Sequence, residues 1–191
     1  MANAFNISDE KIIRGCIKND SYYQKMLFKK YGGKMYAVCR RYARDDSEAN
    51  DMFQEGFIKV FRYLGNFQEK SKLSTWMHSI FVNTSLKYLR KQKSWLEFKE
   101  EEDLDIRTEM FDIDLGESST PFSEAELLEM IDSLPDGYKA VFNLYAIDGF
   151  THQEIAEYLE ISVNTSKSQL FRARKFLQNL INEKLNIKNE K

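Results

Sequence analysis

One acid-rich segment without helical periodicity divides the chain. Between Glu97 and Glu117 it carries ten acidic and two basic residues, a net charge of −8, whereas the rest of the chain sums to +6. Breaker residues close it over 116–121. Like charges keep such a segment extended. We therefore predict a first domain, an acidic flexible linker and a second domain, over residues 1–94, 95–122 and 123–191.

On both sides of that segment, apolar residues recur at spacings of three and four, as a buried helical stripe requires. The chain of 191 residues has only eight glycines and two prolines, which disfavours turn-rich sandwiches and barrels. We predict an all-α fold with two helical domains: an N-terminal helical bundle and a C-terminal four-helix domain.

Local signals predict where helices begin. In the second domain, two capping boxes begin at Ser123 and Thr151, where a hydroxyl and a carboxylate satisfy the first amides of a helix. In the first domain we expect four helices, with a candidate break at Gly32-Gly33. Their predicted starts lie near Ser8, near Asp20, after Asp46 and after Ser74.

The sequence gives no sign of a membrane or secreted protein. No stretch approaches the roughly 20 apolar residues of a membrane span, and the first 19 residues lack the apolar core and cleavage site of a leader. Cys16 and Cys39 lie in helix-like segments, so we expect buried reduced thiols rather than a disulfide. We predict a cytoplasmic protein without membrane insertion.

The sequence contains few of the residues and motifs that a catalytic function would need. His78 and His152 are the only histidines, too few beside two cysteines for most metal sites or catalytic triads. A phosphate-cradling Gly-x-x-x-x-Gly-Lys motif is absent. We predict a protein that is not an enzyme and that uses no cofactor and no metal.

Two stretches, 71–95 and 163–177, are basic and contain no acidic residue. Clustered cations are the electrostatic footprint of a nucleic-acid binder, although a solvated helix face has the same composition. The first stretch also contains aromatic residues, including Trp76 and Phe81. Rings beside cations suit single-stranded DNA, because bases stack on the rings, but these two would serve equally well in a core.

Residues 151–177 have the form of a helix-turn-helix. The second helix begins with a polar run over 164–169 and then becomes basic, the distribution that insertion into the major groove requires. Glu160 occupies the turn, where left-handed backbone geometry usually favours glycine. An ordinary helical hairpin is the alternative.

A polar stripe is predicted on the third helix. Asp51, Gln54 and Glu55 stand at positions i, i+3 and i+4, which face the same side of a helix. The stripe is either a solvated face or an acidic edge on which a basic partner helix docks.

Two ordered sets of motifs resemble those of bacterial sigma factors. The set that resembles sigma region 2 consists of Asp51-x-x-Gln54-Glu55-x-Phe57, Ser74-Thr75-Trp76 and Asn83-x-x-x-x-Tyr88-Leu89-Arg90. The set that resembles region 4 consists of Leu134-Pro135, the helix-turn-helix and Lys167-Ser168-x-Leu170-x-Arg172-Ala173-Arg174. With these two regions and a short linker, the chain is similar to the extracytoplasmic-function (ECF) sigma factors.

The resemblance implies a protein that binds core RNA polymerase, recognises the −10 and −35 promoter elements and melts DNA to initiate transcription of a specific regulon. It implies contact with the clamp helices of the largest polymerase subunit for Asp51, Gln54, Glu55 and Phe57. It implies contact with the −10 element for Phe67, Lys72, Asn83, Lys87, Tyr88, Arg90 and Lys91. It implies contact with the −35 element for Asn164, Thr165, Lys167, Ser168, Phe171, Arg172 and Arg174.

The implied partners are core polymerase, including its flap, double- and single-stranded promoter DNA, and an anti-sigma factor. The alternative is a stand-alone helix-turn-helix regulator, which would bind duplex DNA without polymerase, usually as a dimer on a palindrome. That alternative leaves the acidic stripe on the third helix without a use.

Overall fold

The structure, a computed structural model, describes residues 7–91 and 122–189. These residues form two compact units, one ending at Lys91 and the other following it. Within the described ranges the regular secondary structure is entirely helical, which confirms the predicted all-α fold. The predicted linker lies outside these ranges except for its last residue, Phe122.

The first unit contains four helices. They are α1 (Asp9–Ile17), α2 (Ser21–Tyr42), α3 (Asp46–Tyr63) and α4 (Leu73–Lys91), with a short 3-10 turn over Leu64–Asn66. The side chains of Ser8, Asp20 and Asp45 each accept a hydrogen bond from a backbone N–H in the first turn of α1, α2 and α3. Such caps satisfy amides that have no partner inside the helix, and they confirm the predicted helix starts. The fourth helix begins at Leu73, slightly before its predicted start.

Helix α2 packs against α1, α3 and α4, and α3 also packs against α4. The largest fully buried side chains of this unit include Leu27, Met52, Met77 and Phe81. The predicted break at Gly32-Gly33 is wrong, because α2 runs through both glycines without interruption. The low helix propensity of glycine does not interrupt the helix here: Gly32 is buried near the rings of Phe28 and Phe53, whereas Gly33 is exposed.

The second unit contains α5 (Glu124–Asp132), α6 (Asp136–Phe142), α7 (His152–Leu159) and α8 (Val163–Asn189), with one π-helical turn over Asn143–Ile147. Both predicted capping boxes are present, from Ser123 to Glu126 and from Thr151 to Glu154. Helix α8 packs against α5, α6 and α7. This unit is therefore organised around its longest helix.

One predicted boundary needs correction at the start of the second unit. Phe122, assigned to the linker by its position beside Pro121, is buried against Met130, Leu134 and Leu177. Burial of this apolar ring among other apolar side chains is more favourable than its exposure to water in an acidic linker. Phe122 therefore packs with the second unit, and the other bounds of the linker stay a prediction.

Both cysteines are buried free thiols, as predicted. Burial raises the pKa of Cys16 to about 11 and that of Cys39 to about 12. Thiols with such values stay protonated at neutral pH and are weak nucleophiles. Within the described ranges, none of the helices is both long enough and apolar enough to cross a membrane.

Candidate protein and nucleic-acid interfaces

Helix α3 presents the predicted polar stripe to solvent. Asp51 and Gln54 are exposed, and Glu55 is half-buried one residue further on. The same outward face continues through Ile58 and Arg62, both exposed, since these positions follow at helical spacing. The structure therefore brings together three of the four residues predicted to meet polymerase.

Phe57, the fourth, is not on this surface: it is only 5% exposed. Its ring centroid lies 5.0 Å from those of Phe28 and Phe53 and 5.3 Å from that of Phe81. Aromatic rings at such separations stabilise a core beyond the area that they bury. In this conformation Phe57 belongs to the core beneath α3, so its contact with polymerase stays a prediction.

Glu55 connects α3 to α4. Its Oε1 lies 3.0 Å from Nζ of Lys59 and 3.5 Å from Nζ of Lys87. The hydrogen bond from Lys59, the positive charges of both lysines and a hydrogen bond from Tyr88 lower the pKa of Glu55. Burial and the Glu55 carboxylate raise the pKa of Tyr88. Glu55, a predicted polymerase contact, therefore interacts with Lys87 and Tyr88, which are both predicted to contact DNA.

Helix α4 carries a basic face. Asn83, Lys87 and Arg90 follow one another at spacings of four and three and are all exposed. Lys91 is exposed beside them, and Lys72 is exposed just before the helix. Side chains at such spacings lie along one side of a helix, so most of the predicted −10 residues share a surface.

The aromatic residues of this region divide into two groups. Phe81 is fully buried and belongs to the core. Trp76 is half-buried, and its ring centroid lies 5.1 Å from that of Phe67. Trp76 lies seven residues, about two turns, before Asn83 on the same side of α4, and partly exposed rings of this kind can stack on bases.

The second unit contains the predicted helix-turn-helix. Helix α7 ends at Leu159, and the next residue, Glu160, caps it in left-handed geometry with φ 54° and ψ 46°. The N–H of Ile161 donates to the carbonyl of Ala156 at 3.0 Å. Ser162 then begins α8, its Oγ accepting a hydrogen bond from the N–H of Thr165 at 2.9 Å. The turn therefore keeps the expected backbone geometry without glycine.

Helix α8 presents Asn164, Ser168, Phe171 and Lys175 along its outward side, with Lys167 exposed beside them. Lys175 belongs to the basic run after residue 170, whose cations can reach the phosphates that flank the groove.

Thr165 differs from the other predicted −35 residues in its burial. It is 9% exposed, and its Oγ1 lies 2.7 Å from Oγ of Ser162. The hydroxyl is thus engaged at the start of α8, and its contact with the −35 element stays a prediction.

Arg174 lies in a stack of side chains that sequence reasoning missed. Its guanidinium is over the ring of Tyr145 at 5.9 Å, and that ring stacks on His152 at 4.5 Å. Nδ1 of His152 is 3.0 Å from Oγ of Ser166, which is fully buried. Burial, followed by the charges of Lys167 and Arg174, lowers the pKa of His152. Arg174 is thus half-buried, and its contact with the DNA backbone stays a prediction.

The described residues hold no group of three or more histidine, cysteine, aspartate or glutamate side chains that could bind a metal ion. What the two units offer instead are exposed polar and basic helix faces, with a helix-turn-helix in the second. This combination is typical of a protein that binds nucleic acid.

Comparison with known proteins specifies the family. Residues 27–94 match the family described as Sigma-70 region 2, and residues 124–177 match Sigma-70, region 4. The chain is 30% identical over 186 residues to the RNA polymerase sigma-H factor of Pseudomonas aeruginosa, covering 92% of this chain and 96% of that protein. It is 29% identical over 185 residues to the ECF RNA polymerase sigma-E factor of Haemophilus influenzae, covering 93% and 97%.

Among solved structures, the chain is similar to the sigma factor RpoE in complex with the anti-sigma factor NepR from Bartonella quintana. The TM-score is 0.44 at 19% identity, over 83% of this chain and 96% of that chain. The matches in sequence establish that the chain belongs to the ECF RNA polymerase sigma factors.

Proposed function

We propose that this sigma factor binds core polymerase through the exposed stripe of α3 and promoter DNA through α4 and α8. The observation that carries the proposal is the arrangement of Asp51, Gln54 and Glu55 on one side of α3, adjacent to the basic face of α4. An acidic stripe suits the basic clamp helices of the largest polymerase subunit. A basic face on the neighbouring helix suits DNA held against that subunit.

The two DNA contacts differ in kind. Phe67 and Trp76 combine partly exposed rings with the nearby cations of α4, which suits the single strand of a melted −10 element. Asn164, Lys167 and Ser168 stand in the first turns of α8, where side chains of a helix-turn-helix reach base edges in the duplex −35 element. Lys87, Arg90 and Arg172 would bind phosphates, which fix position rather than sequence.

The protein acts in this proposal as a specificity subunit and not as a catalyst. Its further partners would be the polymerase flap and an anti-sigma factor. A stand-alone helix-turn-helix regulator is not favoured, because it would give the polar stripe on α3 no role.

The polymerase contact is tested by replacing Gln54 and Glu55 together with alanine and measuring affinity for purified core polymerase. We expect a loss of about tenfold or more, as for removal of central interface residues. The matched control is Glu10→Ala with Lys11→Ala on α1, two exposed residues far along the sequence from the stripe. Equal affinities of the stripe variant and the unchanged protein would reject this docking surface.

The −35 contact is tested with Lys167→Ala. Transcription should fall at promoters with an intact −35 element and should change little at promoters whose −35 element is scrambled. Lys184→Ala, further along the same helix, is the control. An equal loss on both promoters would remove Lys167 from sequence recognition.

A further inference from the structure

The outward face of α3 contains an exposed apolar residue within its polar stripe. Ile58 is 57% exposed, one turn beyond Gln54 and one turn before Arg62. A single exposed isoleucine is ordinary on a protein surface. This one differs because it stands among the polar side chains that the proposed function assigns to polymerase binding.

The apolar surface extends from Ile58 towards α2. Phe61 lies one turn beyond Ile58 and is half-buried, and its ring centroid is 6.0 Å from that of Phe57. Phe28 of α2 packs on Phe57 at 5.0 Å, yet it remains 49% exposed. Both partly exposed phenylalanines therefore pack on the same buried ring, and Ile58 lies between that ring's neighbour Phe61 and the polar stripe along α3.

This arrangement matches the anatomy of a protein interface. Binding energy concentrates in a few apolar or aromatic residues at the centre, which surrounding polar residues shield from water. Asp51 and Gln54 precede Ile58 on the face and Arg62 follows it, so polar groups stand on both sides of the isoleucine along the helix.

We infer that Ile58 is the apolar anchor of the polymerase-docking surface, with Phe61 and Phe28 extending it. The inference rests on the proposed function and adds the chemistry of the partner surface. That surface would be a helix of core polymerase on which an apolar side chain lies between basic ones. The basic groups would meet Asp51 and Glu55, and the apolar group would cover Ile58.

Substitution of Ile58 is a clean test because the residue contributes little to its own unit. Its side chain is mostly in water, and alanine has the higher helix propensity, so Ile58→Ala should leave the fold intact. Ile17 supplies a matched control: it is also an exposed isoleucine at 52%, but it is the last residue of α1.

The experiment measures the affinity of core polymerase for the full chain, Ile58→Ala, Ile58→Leu and Ile17→Ala, at low and at high salt. Ile58→Ala should bind about tenfold more weakly. Ile58→Leu should retain most of the affinity, and Ile17→Ala should retain all of it. The loss at Ile58→Ala should persist at high salt, because salt screens charges but does not weaken apolar burial.

Several results would overturn the inference. Equal binding by Ile58→Ala and the unchanged chain would remove Ile58 from the interface, while the proposed function would stand if the Gln54/Glu55 variant still lost affinity. The same loss of polymerase affinity in Ile17→Ala would show that the effect belongs to exposed isoleucines in general and not to Ile58. If Ile58→Ala kept its polymerase affinity but associated with itself less than the unchanged chain in analytical ultracentrifugation, the patch would be assigned to a second copy of the chain. If the unchanged chain did not bind polymerase, the proposed function itself would fail.

Discussion

A Cβ atom built on Gly56 would lie 2.4 Å from Cε1 of Phe81. Two further atoms of the same ring would lie within 2.8 Å. Helices α3 and α4 therefore meet at a point where a side chain other than hydrogen does not fit. This close contact fixes the position of the polar stripe of α3 relative to the basic face of α4.

We predict that Gly56→Ala destabilises the first unit by about 1–3 kcal/mol, the usual cost of overpacking a core. Phe81 is fully buried and has little room to move away. Urea unfolding followed by circular dichroism measures the change. Gly33→Ala in α2 is the control: its Cβ would meet nothing within 4 Å among the described residues. It should stabilise by about 0.5–1 kcal/mol. Similar effects from the two substitutions would contradict the close contact.

A second prediction concerns the carboxylate that α3 and α4 share. Glu55→Gln removes the ion pair with Lys87 and should increase the affinity of the polymerase-free protein for single-stranded DNA by at most about fivefold, since exposed pairs contribute up to ~1 kcal/mol. The same change should weaken polymerase binding. Fluorescence anisotropy with a labelled oligonucleotide measures the first effect.

The control for that prediction is Glu10→Gln, which removes an equal charge from an exposed pair within α1. The variant Glu55→Gln with Lys87→Ala should lose the gain in DNA affinity. If the double variant keeps the gain, the released lysine is not its cause.

A third prediction follows from the left-handed residue in the helix-turn-helix. Glu160→Gly should stabilise the second unit by about 0.5–1 kcal/mol. The strain of a side chain in this geometry, ~1–2 kcal/mol, exceeds the added chain entropy of glycine, ~0.5–1 kcal/mol. Hydrogen exchange of the α7 amides in the full chain reports the change. Glu160→Ala keeps the Cβ atom and should give no gain, so equal protection in both variants would count against the strain.

A fourth prediction is a pH dependence of the second unit. The pKa of His152 lies below its usual value of 6.5 in the folded chain, so the unfolded chain binds its proton first as the pH falls. Stability is therefore complete above about pH 6.5 and decreases below it. Hydrogen exchange of α8 at pH 7.5 and 5.5, corrected for intrinsic rates, should show this loss.

His152→Gln keeps a polar group near Ser166 but does not titrate. It should reduce the difference in stability between the two pH values. A difference as large as that of the unchanged chain would assign the pH dependence to carboxylates elsewhere in the unit.

Local signals predicted the helices well because each acts over a few residues. Ser8, Asp20 and Thr151 cap helices where the sequence indicated. Periodicity also distinguished two helical units. Helix caps depend on backbone amides within one turn, and a buried helical stripe depends on apolar spacings of three and four residues. Both can be seen directly in the sequence.

Features that depend on a second helix were harder to predict. Phe57 fits the polar motif of α3 by its position, but rings from α2 and α4 enclose it. Thr165 stands in the polar run of α8, yet the hydroxyl of Ser162 engages it at the helix start. The stack of His152 on Tyr145 joins residues brought together only by folding. Local sequence patterns do not predict contacts between residues that are distant along the chain.

Run-off transcription with purified core polymerase, on fragmented genomic DNA from the host of this protein, tests directly whether the chain acts as a sigma factor. We predict discrete transcripts that appear only when the protein is added and that disappear with the Gln54/Glu55 double variant. Binding of the protein to duplex DNA without any affinity for core polymerase would contradict it.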